Sequence, residues 1–291
     1  MPELPEVETV RLGLSKLLPR KVIKSVDSDN LKSFPNDKNQ VDKFMLGASV
    51  TSVSRRAKVL IINLSSNYSL VIHLKMTGQL VYKSESFRFG AGHPNDSLIG
   101  NLPDRSTRVD ITFSDDSKLF FNDQRKFGWM RLVATDLVPE LTFMIKLGPE
   151  PLLDEFSWQL FKQRILRRKN SSIKPVIMDQ TVIAGVGNIY ADESLWAAKI
   201  NPMTKVASLT DQKIKLLHKS LLDVLLLSIE KGGSTDRNYV NAEGVKGSYI
   251  DFAKVFRRDG LPCPRCGREI IKTRVAGRGT HYCAYCQRLV K

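Results

Sequence analysis

Val7, Val10, Leu14 and Leu17 recur at near-helical spacing, and Pro5 followed by Glu6 and Glu8 suits a first helical turn, so the pattern predicts a leading helix. Short runs rich in Val, Ile and Leu then alternate with Ser, Asn, Asp and Gly. They predict antiparallel strands at 21–27, 49–55, 58–64, 69–74, 79–83, 108–114, 118–122 and 128–133, arranged as a sandwich or barrel. A polar stretch at 84–107, rich in Gly, Pro, Ser and Asn, is expected to be a long loop. The pattern changes after residue 135. Leu147-Gly148-Pro149-Glu150-Pro151 marks a linker over 136–150, and helices are expected near 157–168, 172–179, 189–199 and 209–231. In the last of these Ile214, Leu217, Leu221, Val224 and Leu225 share a face, Ser208 is the expected cap and Gly232-Gly233 the stop. The fold class is therefore α+β and multidomain, with a β-rich part over 1–135, a helical part over 151–235, a connecting loop over 236–250 and a small module over 251–291.

Charge narrows the partner. Among 291 residues, 45 Lys and Arg face 30 Asp and Glu, a formal +15 that favours a polyanion such as nucleic acid. Residues 251–291 hold ten cations and three anions, a balance of +7. No apolar run is long enough to span a bilayer and no secretory signal is present, which points to a cytoplasmic protein without a membrane partner. All four cysteines fall in this last module, as Cys263-x2-Cys266 and Cys283-x2-Cys286. Thiolates at that spacing close a tetrahedral zinc site, which in an intracellular chain outranks two disulfides.

Six further stretches carry candidate chemistry. Removal of Met1 would expose the secondary amine of Pro2 beside Glu3 and Glu6, just ahead of a helix whose dipole favours the free base; such an amine can form a Schiff base. While Met1 remains, the Pro2 nitrogen is a tertiary amide and cannot attack. Gly277 and Gly279 free the backbone around Arg278, whose guanidinium suits a phosphate, and Gly185-Val186-Gly187-Asn188 opens a helix with amides positioned for an anion. In the β-rich part, Arg55-Arg56-Ala57-Lys58, His73-Leu74-Lys75-Met76-Thr77-Gly78 and Asn122-Asp123-Gln124-Arg125-Lys126-Phe127-Gly128 combine cations with apolar and aromatic residues, although Met76, Phe127 and His73 taken singly are more often core or structural. Enzymes that extrude a base need such parts, because a wedge must fill the gap while cations grip the backbone.

Pro2-Glu3-Leu4-Pro5-Glu6-Val7-Glu8, Ala57-Lys58, the His73–Gly78 and Asp123–Gly128 stretches, Gly185–Tyr190 and the four-cysteine element occur in this order. Together they resemble the bacterial formamidopyrimidine-DNA glycosylases over essentially the whole chain. The resemblance implies an N-terminal β-sandwich, a helix-two-turn-helix domain and a zinc finger, with damaged double-stranded DNA held between the two halves of a monomer. It implies excision of oxidised purines through a Schiff base from Pro2 to C1′, then β,δ-elimination. Glu3 would be the acid-base partner, Glu6 a supporting carboxylate, Lys58 the lysine of β-elimination and Arg278 the arginine of δ-elimination. Met76, Arg125 and Phe127 resemble the trio that fills the void, and His73, Lys174 and Asn188 resemble contacts to the DNA backbone.

Two positions depart from the family pattern. A histidine phosphate contact falls on Ser106, with Arg105 and Arg108 as nearby substitutes, and Asn170 stands where some relatives carry Lys. Leu4 matches the oxidised-purine branch rather than the related endonuclease VIII enzymes. Charge and cysteines alone also allow a zinc-dependent DNA-binding protein without catalysis.

Overall fold

The computed structural model describes residues 2–93, 95–234 and 249–289, so most of the expected connecting loop over 236–250 lies outside the described residues. Two compact units divide the chain: Met1–Ile145 with the segment beginning at Lys231, and Lys146–Glu230 with the C-terminal module.

The first unit opens with α1 (Leu4–Leu17), whose Leu4, Val7, Val10 and Leu14 are completely buried. Burying four such side chains contributes roughly 6–12 kcal/mol before entropy is counted. Gly13 lets this helix lie close to the sheet, because a Cβ there would meet the Phe89 ring at 2.1 Å. The strands follow as β1 (Ile23–Ser28), β2 (Val50–Arg56), β3 (Val59–Leu64), β4 (Tyr68–His73), β5 (Gly78–Lys83), β6 (Arg88–Gly92), β7 (Thr107–Phe113), β8 (Lys118–Asp123) and β9 (Trp129–Ala134), with α2 (Lys38–Phe44) between β1 and β2.

They form two antiparallel sheets, ordered β1-β7-β8-β5-β6 and β2-β3-β4-β9. Alternate residues of both, among them Leu60, Ile62, Leu70, Ile72, Leu80, Val109, Ile111, Leu119 and Phe121, meet in one core with α1, which makes the unit a β-sandwich. The expected loop over 84–107 is only partly a loop. Residues 88–92 are β6, paired with β5, and a short 3-10 turn occupies Asp96–Leu98. Within the expected linker, α3 (Thr142–Ile145) belongs to the first unit.

The second unit contains α4 (Trp158–Leu166), α5 (Ile173–Met178), α6 (Asn188–Ala197) and α7 (Asp211–Glu230), then α8 (Tyr249–Phe252) and the hairpin β10 (Ile271–Val275) with β11 (Arg278–Tyr282). Ile214, Leu217, Leu221 and Leu225 bury the expected face of α7, while Val224 is half-buried. The cap of α7 is Thr210 rather than Ser208, its hydroxyl accepting from the Lys213 amide (3.3 Å); Ser208 closes a 3-10 turn instead. No helix among the described residues is long and apolar enough to cross a membrane.

Candidate functional site

Pro2 is buried immediately ahead of α1, and Glu3, only 3% exposed, is the N-cap residue. The Glu6 carboxylate joins two segments there: Oε2 accepts from the Glu3 amide (2.7 Å) and Oε1 from the Ser234 amide (2.6 Å). Both carboxylates lie within the first turn, where the helix dipole favours negative charge. Glu8, two residues further, was expected only as an acid of the first helical turn and has a bracing role as well. It accepts from Arg55 Nε (2.8 Å), and Arg55 also donates to the Ala57 carbonyl (2.9 Å), which braces the turn carrying buried Lys58 against α1. Burial alone would raise the Glu8 pKa, but hydrogen bonds from Arg11 and Arg55 outweigh it and hold the carboxyl below its usual range.

Sheet register brings several candidates to one end of the four-stranded sheet. Val59, next to Lys58, pairs with His73, and His73 pairs with Trp129, two residues beyond Phe127. The His73 Nδ1 accepts from the Lys75 amide (3.0 Å), which leaves the proton on Nε2. Burial, with the nearby Lys75 and Lys58 cations, pushes the His73 pKa down to about 3. At neutral pH this side chain is therefore an uncharged hydrogen-bond donor.

Met76 (40% exposed), Arg125 and Phe127 (52% exposed) project into solvent, and Arg125 contacts the other two. The Arg125 Nη1 lies 3.2 Å from Met76 Sδ, and its guanidinium stands 4.8 Å from the Phe127 ring centre. Behind them Asp123 is completely buried and accepts hydrogen bonds from Thr77 and from the amides of Arg125, Phe127 and Gly128. The sequence signal for it was weak: an aspartate heading a turn that ends in glycine.

In the second unit, the sulfur atoms of Cys263, Cys266, Cys283 and Cys286 all lie within 4.8 Å of one another. Cys266 and Cys283 are 3.5 Å apart and Cys263 and Cys286 4.0 Å apart, far beyond a disulfide bond. A zinc–sulfur length of about 2.3 Å gives a tetrahedral edge of about 3.8 Å, so four thiolates fit that ion. The Trp196 indole N–H, 3.4 Å from Cys263 Sγ, supplies an outer hydrogen bond to one ligand. The β10–β11 hairpin extends from this cluster and turns at Ala276 (φ +48°) and Gly277 (φ +76°), the signature of a type I′ turn. Arg278 is exposed beside that tip. Gly279 has no such backbone demand, and a Cβ there would meet nothing.

Three family models match the chain: the formamidopyrimidine-DNA glycosylase N-terminal domain over 1–130, the formamidopyrimidine-DNA glycosylase H2TH domain over 147–239 and the zinc finger found in FPG and IleRS over 260–289. The formamidopyrimidine-DNA glycosylase of Pelotomaculum thermopropionicum is 41% identical over 301 residues, covering 99% of this chain and 100% of the relative. That of Enterococcus faecalis is 40% identical over 294 residues, covering 99% and 98%. The chain belongs to the formamidopyrimidine-DNA glycosylase family. Solved relatives agree with it in structure. A complex of a mutant Lactococcus lactis enzyme with Fapy-dG-containing DNA has a TM-score of 0.86 at 36% identity and covers 99% of this chain and 100% of its own. A complex of the same species' enzyme with abasic-site DNA has a TM-score of 0.85 at 36% identity and covers 98% and 99%.

Several contacts expected from the glycosylase pattern are placed differently. Ser106 is 2% exposed, and its hydroxyl donates to Asp104 (2.7 Å) and meets Ser97 (3.0 Å), so it does not face a ligand. Arg108 is also buried, its guanidinium engaged by Asp29 and by the carbonyls of Asp123 and Arg105. Arg105 is the exposed cation of this stretch.

Lys174 is the largest correction. It is completely buried, with Nζ 2.7 Å from Asp192 Oδ1, 2.9 Å from the Gly279 carbonyl and 2.8 Å from Thr280 Oγ1. It ties α5 and α6 to the hairpin that carries Arg278 and has no solvent-facing atom to offer a phosphate. Asp192 also accepts from the His281 amide (2.9 Å), and the adjacent Glu193 accepts from the amides of Lys254, Val255 and Phe256 at 2.8–2.9 Å. These consecutive carboxylates fasten the cysteine module to α6. Asn170 is exposed. Asn188 opens α6 after the 185–187 turn, which Gln180 holds by donating to the Val186 carbonyl (2.7 Å) and accepting from the Gly185 amide (2.9 Å).

Proposed function

We propose that this chain excises oxidised purines, such as 8-oxoguanine and formamidopyrimidines, from double-stranded DNA and then cleaves the strand at the resulting abasic site. The observation that carries the reading is a proline buried at position 2, at the head of a helix and followed by a carboxylate that is only 3% exposed. Removal of Met1 makes the Pro2 nitrogen a secondary amine. It attacks C1′, the bond from C1′ to the damaged base breaks, and the base leaves with a proton. Glu3 delivers a proton to the ring oxygen as the bond from C1′ to O4′ opens, giving an iminium joined to Pro2. The iminium acidifies the C2′ proton, whose loss expels the 3′ phosphate, and the extended conjugation then acidifies C4′, so that the 5′ phosphate leaves in turn.

The remaining groups support these steps. Lys58, at the sheet end beside neutral His73, serves β-elimination and phosphate contact. His73 Nε2–H donates to a phosphate oxygen, and the start of α6 at Asn188 receives another phosphate. Met76, Arg125 and Phe127 occupy the gap left by the extruded nucleotide. Arg278 holds the phosphate lost in the second elimination. The four cysteines hold one zinc ion, which orders the hairpin presenting Arg278. The +15 net charge favours a DNA partner and steep salt dependence.

Borohydride reduction on a duplex with 8-oxoguanine opposite cytosine tests this directly. A covalent adduct with the processed protein that disappears in Pro2→Gly is expected. Trapping of an oxidised pyrimidine in its place would assign the endonuclease VIII specificity, and tight binding without any adduct would leave only a DNA-binding protein.

A further inference from the structure

We propose that Asp123 is a positioning residue that presets Met76, Arg125 and Phe127 as a rigid wedge, so that opening a paired site does not require the wedge to be ordered first. The inference rests on the reading that this protein extrudes a nucleotide.

Asp123 ends β8 opposite Gly78 in the ladder and is completely buried. Its Oδ1 accepts from the Thr77 hydroxyl and the Arg125 amide (3.1 Å), and its Oδ2 from the amides of Phe127 (2.8 Å) and Gly128 (2.6 Å). All four donors are uncharged, and they come from two separate segments: the one that carries Met76 and the one that carries Arg125 and Phe127. The Arg125 amide also lies 3.1 Å from Thr77 Oγ1, which closes the link between them.

Each segment contains a non-glycine residue in the left-handed region directly before a wedge side chain, Lys75 (φ +50°) before Met76 and Lys126 (φ +57°) before Phe127. Such conformations persist when surrounding contacts over-determine them. The side chains presented in this way are exposed, and Arg125 contacts both of the others. A wedge already in place avoids the ordering cost that flexible groups would incur on binding.

Asp123→Asn replaces one acceptor oxygen with a donor and sets it against the amides of the turn. Thr77→Val exchanges one hydroxyl for a methyl and severs only the link between the segments. Single-turnover excision is measured with each variant on two duplexes, one with the lesion fully paired and one with the lesion facing a nucleotide that has no base. In Thr77→Val the paired duplex is expected to lose about tenfold, as for one hydrogen bond to a buried carboxylate. The duplex without an opposing base is expected to change by less than about twofold, since extrusion is easiest there. Asp123→Asn shows a larger differential wherever it folds, and Thr77→Val carries the test if it does not. Equal losses on both duplexes, or a Thr77→Val enzyme that matches wild type on the paired one, would overturn the inference. A wild-type protein that excises from neither duplex would overturn the functional reading beneath it.

Discussion

The turn between β8 and β9 and the hairpin of β10 and β11 both present an arginine to solvent, Arg125 in one and Arg278 in the other, and they are fixed from behind in opposite ways. The first is held by a buried carboxylate that binds backbone amides and a hydroxyl. The second is held at its base by four clustered thiols and along its length by Lys174 and Asp192. An amide-bound turn is ordered by its own sheet. A hairpin in a small module that buries little apolar surface depends on a metal and on side chains from neighbouring helices.

Metal removal should separate the two most strongly. Chelation is expected to remove a stabilisation of about 10 kcal/mol or more from the cysteine module. Amide signals of residues 271–282 should collapse toward disordered positions while those of 123–128 stay in place. Loss of both sets would show that the two regions are not independent.

Lys174→Met comes next, because it leaves the buried Asp192 carboxylate without its cation and is expected to cost about 3–5 kcal/mol in the second unit. Denaturant unfolding should show the loss, and a second change, Asp192→Asn, should recover part of it. Weakened DNA binding with unchanged stability would return Lys174 to the role of a phosphate contact.

Acidification provides a smaller effect centred on the first unit. His73 has a folded-state pKa of about 3 against the usual 6.5, so the unfolded chain binds more protons between those values. Its contribution to stability is complete above about pH 6.5 and falls as the pH drops toward 3. Glu8, held below its ordinary value, adds stability above that value and loses it as pH falls through the folded pKa. A His73→Gln protein should therefore show a flatter decline in Tm from pH 7 to 5 than wild type; an unchanged slope would argue against the neutral imidazole. The smallest stability effect is expected for exposed Arg278→Ala, within about 0.5 kcal/mol. The same variant should accumulate the β-elimination product at the expense of the δ product in a gel assay of abasic DNA.

Much of this molecule is legible in its sequence. The strand stripes were clear because inward Leu60, Ile62, Leu70 and Ile72 alternate with outward residues, and the α7 stripe because it repeats over about three turns. β6 was hidden because Arg88-Phe89-Gly90-Ala91-Gly92 has two glycines and one large apolar residue, and its place depends on Gly13 in a distant helix. The cysteine cluster was legible because its chemistry is carried by residue type and spacing, whereas Pro2, Glu3, Met76, Arg125 and Phe127 stood out only through the ordered motifs of the family resemblance. Lys174 and Ser106 were not legible, because whether a polar side chain faces solvent depends on partners elsewhere in the chain: Thr280 bonds Lys174 across a separation of 106 residues.

In the proposed mechanism the terminal amine of Pro2, rather than any lysine, carries the covalent chemistry. Peptide mapping by mass spectrometry of the borohydride-reduced complex tests it most directly. The sugar remnant is expected on the peptide that begins at Pro2, attached to its nitrogen. An adduct on Lys58, or on any other lysine, would contradict it.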